Sequence, residues 1–295
     1  MLRTFLPKKL TMALLLCATF IFSVNTHALI KIVAAENIYG EVARELGGQY
    51  VEVMSILNNP SQDPHLFTTT PSTAKAIHQA NIVVYNGANY DPWINSMLAT
   101  PNQKRTVFNI GALVQAKVGD NPHLWYSPTT IPIFAKTLTT QLIHDDPDHE
   151  AYYVERLQHF HHQYLVIFRT INRLKQRFEH TPIIATEPVF GYMAKSVGLK
   201  ILGEDFQTNM MNGLPPTISQ IKSFEDDLLH HRATLLIYNN QVMNPLTDRM
   251  RLLAEKNHIP VLGVSEMIPP QTRYIEWIMS ELIALDQALV KGRGH

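Results

Sequence analysis

The sequence predicts an α/β protein of two lobes, each built on a parallel sheet, joined by one long rigid α-helix. Three observations predict it. Short apolar runs alternate with helical patterns from residue 30 to residue 144, and the alternation resumes at residue 182. Between these blocks, residues 148–178 hold no Gly or Pro. Finally, 45% hydrophobic and 17% charged residues in 295 supply one large or two medium cores.

The first block reads in order. IKIVAAE (30–36) is a buried strand, NIYGEVARELGG a helix ended by Gly47 and Gly48, and VEVMSIL (51–57) a second strand. After the loop NNPSQDPH, residues 72–80 form a helix with Ser72 as N-cap. NIVVYNG is a strand, YDPWINSMLA a helix, TVFNIG a strand and TTIPIFAKTLTTQLIH an amphipathic helix. Strands alternating with helices imply βαβ units and a parallel sheet.

In 148–178, Tyr153, Leu157, Phe160, Tyr164, Phe168, Ile171, Leu174 and Phe178 recur at spacings of three and four, which makes one helical stripe. At 1.5 Å per residue this helix is about 46 Å long, enough to run beside two domains. PIIATE, GYMAKSVGL and KILGE then read as strand, helix and strand, followed by a loop over 208–217. Helix ISQIKSFEDDLLHH, strand TLLIYNN, helix TDRMRLLAEKN, strand IPVLGVSE and a last helix over 273–291 complete the second lobe. The expected boundaries are a signal peptide at 1–28, lobes at 29–147 and 179–295, and the linking helix at 148–178.

The ends set the compartment. Arg3, Lys8 and Lys9 precede a 13-residue apolar run, LTMALLLCATFIF, and a small-residue end at Thr26-His27-Ala28. This is a secretory signal, too short for the roughly 20 residues that span a bilayer. Its cleavage places the mature chain in the periplasm. Leu14, Leu15 and Leu16 before Cys17 do not suit a lipoprotein signal, so no stable membrane insertion is expected after cleavage. The mature chain has no cysteine, and any metal site in it must use His and oxygen ligands. Losing three basic residues from a balance of 25 against 25 leaves a formal charge of −3, which argues against nucleic acid as a partner.

Most of the 14 histidines read as solvated surface. His144, His149, His159, His161, His162, His230, His231 and His258 fall on polar helix faces or helix ends. Two differ. DPHLF and NPHLW repeat one phrase, in which Pro64 and Pro122 stiffen the approach to His65 and His123. Both loops belong at the C-terminal edge of a sheet, where open α/β folds bind ligands. In the second lobe, PIIAT ends in Glu187-Pro188, and PVLGV is followed by Glu266. The plainer reading of either acid is helix-dipole stabilisation, but Pro269-Pro270 delays the helix after Glu266. Asp205 and Asn239 also lie near strand ends and stand in reserve. Two imidazoles and two carboxylates suit Mn2+ or Fe2+ without excluding Zn2+. The sequence has no GxSxG, HExxH, Walker loop or GxGxxG.

The segments DPHLFTTTPSTAKAIHQANIVVYNG, NPHLWYSP, the long helix and TEPVFGYMAKSVGL resemble the metal-binding solute-binding proteins of bacterial zinc and manganese ABC importers. The resemblance covers nearly all of the mature chain. It implies metal bound in the cleft between the lobes, with His65, His123, Glu187 and an acid after a late strand as ligands, and an ABC permease as partner. Glu187 in place of histidine resembles the manganese-type receptors. SEMIPPQTRYIEW departs from their usual aspartate, so Glu266 takes that place. The expected function is capture of a divalent transition metal (Mn2+, Zn2+ or Fe2+ as the transported ligand) by a monomer that is not an enzyme. Two alternatives remain: a secreted metal-dependent hydrolase, and a receptor for a chelated metal whose cleft is lined by Trp93, Trp125 and Tyr126.

Overall fold

The computed structural model describes residues 28–60, 64, 67–99, 102, 104–117, 119–242 and 244–294. The leader expected at 1–28 falls outside these residues except for Ala28, and so does His65.

In the first lobe the chain runs β1 (Ile30–Glu36), α1 (Asn37–Gly47), β2 (Val51–Leu57), α2 (Pro71–Gln79), β3 (Ile82–Tyr85), α3 (Ile94–Leu98), β4 (Thr106–Asn109), α4 (Ile110–Leu113) and α5 (Thr130–Asp145). Its strands form one parallel sheet in the order β2-β1-β3-β4. The long helix is α6 (Glu150–Phe178). The second lobe follows with β5 (Pro182–Ala185), α7 (Gly191–Val197), β6 (Lys200–Leu202), α8 (Glu204–Met211), α9 (Ile218–Leu229), β7 (Leu236–Asn239), α10 (Pro245–Lys256), β8 (Val261–Val264) and α11 (Tyr274–Gly292). Its sheet repeats the topology, β6-β5-β7-β8, all parallel. In each sheet the chain leaves in opposite directions from the two central strands. This creates a switch point between β1 and β3, and another between β5 and β7, where an open sheet leaves a crevice for ligands.

The strands read as continuous apolar runs because both faces of each sheet are covered. On β1, Ile32 and Ala34 face a large core, while Val33 and Ala35 face a smaller one under α2 and α3. On β5 and β7 the same two-residue period sends Ile183 and Ile237 to the large core and Ile184 and Leu236 to a third cluster with Phe206, Phe224 and Met250. The large core is shared. It runs without a break from Ile32 and Leu46 through Phe134, Phe160 and Tyr164 to Phe190, Trp277 and Leu289.

Helix α6 makes that continuity possible. It packs on α1 and α5 of the first lobe and on α7 and α11 of the second. Tyr153, Phe160, Tyr164, Ile171, Leu174 and Phe178 of the expected stripe are buried. Leu157 and Phe168 are only partly so, while Ile167 and Thr170 are buried beside them. A 3.6-residue turn drifts across a surface, so a strict three-four count misses the residues next to the seam. The observed 29 residues span about 43 Å.

Two expectations need correction. Thr70, not Ser72, caps α2: its hydroxyl accepts from Thr73 N, and Pro71 takes the first helical position, where its missing N–H costs nothing. The expected 208–217 loop starts late, because α8 continues to Met211. Its first turn carries Glu204 and Asp205, which suit the positive end of a helix.

Candidate metal centre

The site lies where the two C-terminal sheet edges face each other. His123 opens a 3-10 turn, Leu124–Tyr126, and is 1% exposed. Its loop is held from the first lobe by Asn86, whose Nδ2 donates to Pro122 O at 2.8 Å. Asn86 follows β3 at the switch point, and its Oδ1 accepts from Tyr39 Oη at 2.6 Å. Gly87 follows with φ +71°, and any Cβ there would collide with Asn109 Oδ1, so only glycine fits this turn.

Asn121 fixes the ring of His123. Asn121 Nδ2 donates to Pro188 O across the cleft at 2.6 Å, which orients the amide. Its Oδ1 therefore faces His123 Nδ1, 2.7 Å away, and accepts the Nδ1 proton. In the neutral ring this leaves Nε2 as a bare acceptor. That atom is buried with no hydrogen-bond partner among the described residues, and it lies 3.4 Å from Glu266 Oε2. Two bare acceptors facing each other repel, and either a metal ion between them or a proton on Nε2 relieves the contact.

Glu266, fully buried, sits two residues past β8. Its backbone N–H donates to Gln241 Oε1. Its Oε2 accepts from Tyr90 Oη of the opposite lobe at 2.7 Å. Burial first, then the Glu266 charge, pushes the Tyr90 phenol well above its usual range, so it remains a donor. Glu187, two residues past β5 and 5% exposed, turns its carboxylate to Asn239 rather than into the first turn of α7. Asn239, the last residue of β7, donates from one nitrogen to Glu187 Oε2 at 2.8 Å and to Glu266 Oε1 at 2.5 Å.

The structure thus brings His123, Glu187, Glu266 and the reserve residue Asn239 together. Asp205 is exposed on α8 and does not reach them. His65 lies outside the described residues, and among the described ones no three His, Asp or Glu side chains form a metal-holding group by themselves. Of the surface histidines, His144, His159, His162, His230, His231 and His258 are exposed, and His149 pairs with Asp146 at 2.8 Å. Trp125 and Tyr126 are fully buried and Trp93 packs under the first sheet, so they do not line an open aromatic cleft. Sequence reasoning missed the roles of Asn121, Tyr90 and Gln241, although Asn121 heads the NPHLW phrase two residues before His123 and Gln241 lies just past a strand end.

Beneath Tyr90 lies a second acid pair, Glu36 at the end of β1 and Asp91, both buried. Asp91 accepts from Asn86 N at 2.7 Å and Gly87 N at 2.9 Å, which supports its charge. Both Glu36 oxygens lack a hydrogen-bond partner among the described residues. Burial, then the neighbouring Asp91 charge, raises the Glu36 carboxyl well above its ordinary range, and burial raises Asp91 as well, so the pair holds protons more tightly than free carboxylates do.

Contacts on both sides of the cleft tie the lobes. Asn37 Nδ2 donates to Ile268 O, and Ile268 N donates back to Asn37 Oδ1. Tyr126 Oη donates to Ser265 O, Tyr192 Oη to Asn121 O and Tyr274 Oη to Trp125 O.

The family described as "ZnuA: Zinc-uptake complex component A periplasmic" matches residues 32–288. The chain belongs to this family. Its members are substrate-binding components of metal transporters. Over 269 residues the chain is 23% identical to "Manganese ABC transporter substrate-binding lipoprotein PsaA" of Streptococcus anginosus, covering 84% of each. The fold matches the periplasmic zinc-binding protein TroA of Treponema pallidum with a TM-score of 0.75 at 14% identity, over 89% of this chain and 99% of that one. A periplasmic metal-binding protein of Candidatus Liberibacter asiaticus matches with a TM-score of 0.70 at 17% identity, over 88% and 99%. These likenesses place the two-lobe architecture with its linking helix in a known fold.

Proposed function

We propose that this chain captures one divalent transition metal ion in the periplasm and delivers it to an ABC permease. The observation that carries the reading is the bare Nε2 of His123, set by Asn121 and aimed at the carboxylate of Glu266. An ion between them gains an imidazole from one lobe and carboxylates from the other. The ligand set is His65, His123, Glu187 and Glu266, with lobes at 29–147 and 179–295 and the helix of 148–178 between them. Imidazole with carboxylate accommodates Zn2+, Mn2+ and Fe2+. The family supports transport, and so do relatives named for manganese uptake. Four protein ligands close the coordination that a hydrolase leaves open for water, so the chain binds and carries rather than catalyses. Among the described residues no helix is long and apolar enough to cross a membrane. Metal analysis of protein purified from its own periplasm tests the reading. One ion per chain supports it, and protein that stays metal-free under every loading condition refutes it.

A further inference from the structure

The segment 265–274 carries Glu266 and belongs by sequence to the second lobe, yet it is fastened to the first. Asn37, the first residue of α1, grips it at Ile268. Its Nδ2 donates to Ile268 O at 2.8 Å, and its Oδ1 accepts from Ile268 N at 3.1 Å. Both backbone groups belong to one residue, so the amide has a single orientation. The pairing matches one rung of an antiparallel ladder. One helical turn further along α1, Glu41 Oε2 accepts from Tyr274 N at 3.1 Å. That N–H opens α11 and has no acceptor within its own helix, so the first lobe caps the last helix of the second. Tyr126 Oη donates to Ser265 O at 2.7 Å, and Tyr274 Oη donates to Trp125 O at 2.7 Å. Between the two grips of α1, Pro269 and Pro270 restrict the backbone and stiffen the segment.

The second lobe holds the same segment at Glu266. Gln241 Oε1 accepts from Glu266 N, and Asn239 Nδ2 donates to Glu266 Oε1. Asn239 also holds Glu187 and ends β7, so it moves with the second sheet. Hydrogen bonds of one kind contribute similar small amounts. The first lobe's set runs from Ser265 to Tyr274 and includes Tyr90 on Glu266 Oε2, so it outweighs the pair that meets at Glu266. When the cleft loosens, the line of parting falls between Glu266 and Asn239.

We propose that Asn37 is a positioning residue for metal capture: by fixing Ile268 it makes the segment 265–274 a mechanical part of the first lobe, so that Glu266 stays beside His123 while Glu187 withdraws with Asn239. The inference rests on Glu187 and Glu266 as ligands, as proposed above.

Amide hydrogen exchange, read residue by residue by NMR on the signal-free chain with and without Zn2+, reports where the cleft parts. The Glu266 N–H is bound from the second lobe, whereas those of Ile268 and Tyr274 are bound from the first. Removing Zn2+ should speed exchange at Glu266 by about tenfold or more and leave Ile268 and Tyr274 within about twofold. Acceleration at Ile268 and Tyr274 along with Glu266, or no acceleration at Glu266, overturns the proposal. Zn2+ release into excess chelator, followed by stopped flow, supplies a second reading. Asn37→Ala frees Glu266 from His123 and should speed release by about tenfold or more, the scale of outer-shell effects on metal sites. A variant that loses stability yet releases Zn2+ at the parent rate has lost only a structural contact, and that result overturns the proposal. If the variant does not fold, exchange in the parent decides. Either failure in a parent that holds one Zn2+ leaves metal capture standing. A parent that takes up no Zn2+ overturns metal capture, and this inference with it.

Discussion

His123 and Glu266 meet across the cleft with Nε2 and Oε2 3.4 Å apart, and the proton of the neutral imidazole is held on the far side of the ring by Asn121. The contact joins the two lobes through a pair of acceptors. Asn121 therefore governs the metal affinity without touching the metal. Asn121→Leu releases the ring and the tautomer together. Zn2+ affinity, measured by competition with a chromogenic chelator, is expected to fall about 10- to 100-fold. Parent-like affinity would show that the tautomer is set elsewhere.

Tyr90 holds Glu266 Oε2 from the opposite lobe. A hydrogen bond to a buried carboxylate contributes about 1.5–3 kcal/mol. Tyr90→Phe should cost that much in the metal-free protein and less in the loaded one, where the ion also faces this oxygen. Urea denaturation of both forms checks the difference. Equal losses in the two forms would detach Tyr90 from the site.

Glu36 makes stability depend on pH. Its carboxyl, raised by burial and then by Asp91, binds a proton more tightly in the folded chain than in the unfolded one. Its stabilisation is therefore complete below the ordinary value of 4.5 and is lost as pH rises through the raised value. Glu36→Gln mimics the protonated form and removes this loss. Relative to the parent, the variant should gain stability between pH 5 and pH 8 in chemical denaturation series. A difference that stays flat across that range would contradict a raised Glu36 carboxyl.

A continuous α6 and a core shared by both lobes resist hinge bending, because a bend would strain backbone hydrogen bonds and open packed surface. Small-angle scattering of metal-free and loaded protein should give closely similar radii of gyration. A wide lobe rotation on loading would contradict this.

The fold was readable where local physics decides it. Two-residue alternation on β1 and the stripe on α6 reflect burial, which a sequence displays directly. Less was legible at the site. His123 and the acids could be chosen because each follows a proline or an apolar run. Their partners were less so: Asn121 touches His123 two residues away but is oriented by Pro188, Tyr90 reaches Glu266, and no local pattern encodes a contact 67 or 176 residues away. Asn239 stood in reserve as one more polar strand end, and only the geometry shows it between two carboxylates. The expected cap, Ser72, lies inside α2, because Pro71 takes the first helical position and Thr70 caps it.

The central claim is that His123 and Glu266 hold one ion between the lobes. Its most direct test is isothermal titration of Zn2+ into the metal-free, signal-free chain, alongside His123→Ala and Glu266→Ala. The account predicts one ion per parent chain and a large loss of affinity in both variants, with folded structure retained by circular dichroism. Parent-like binding in either variant would contradict it.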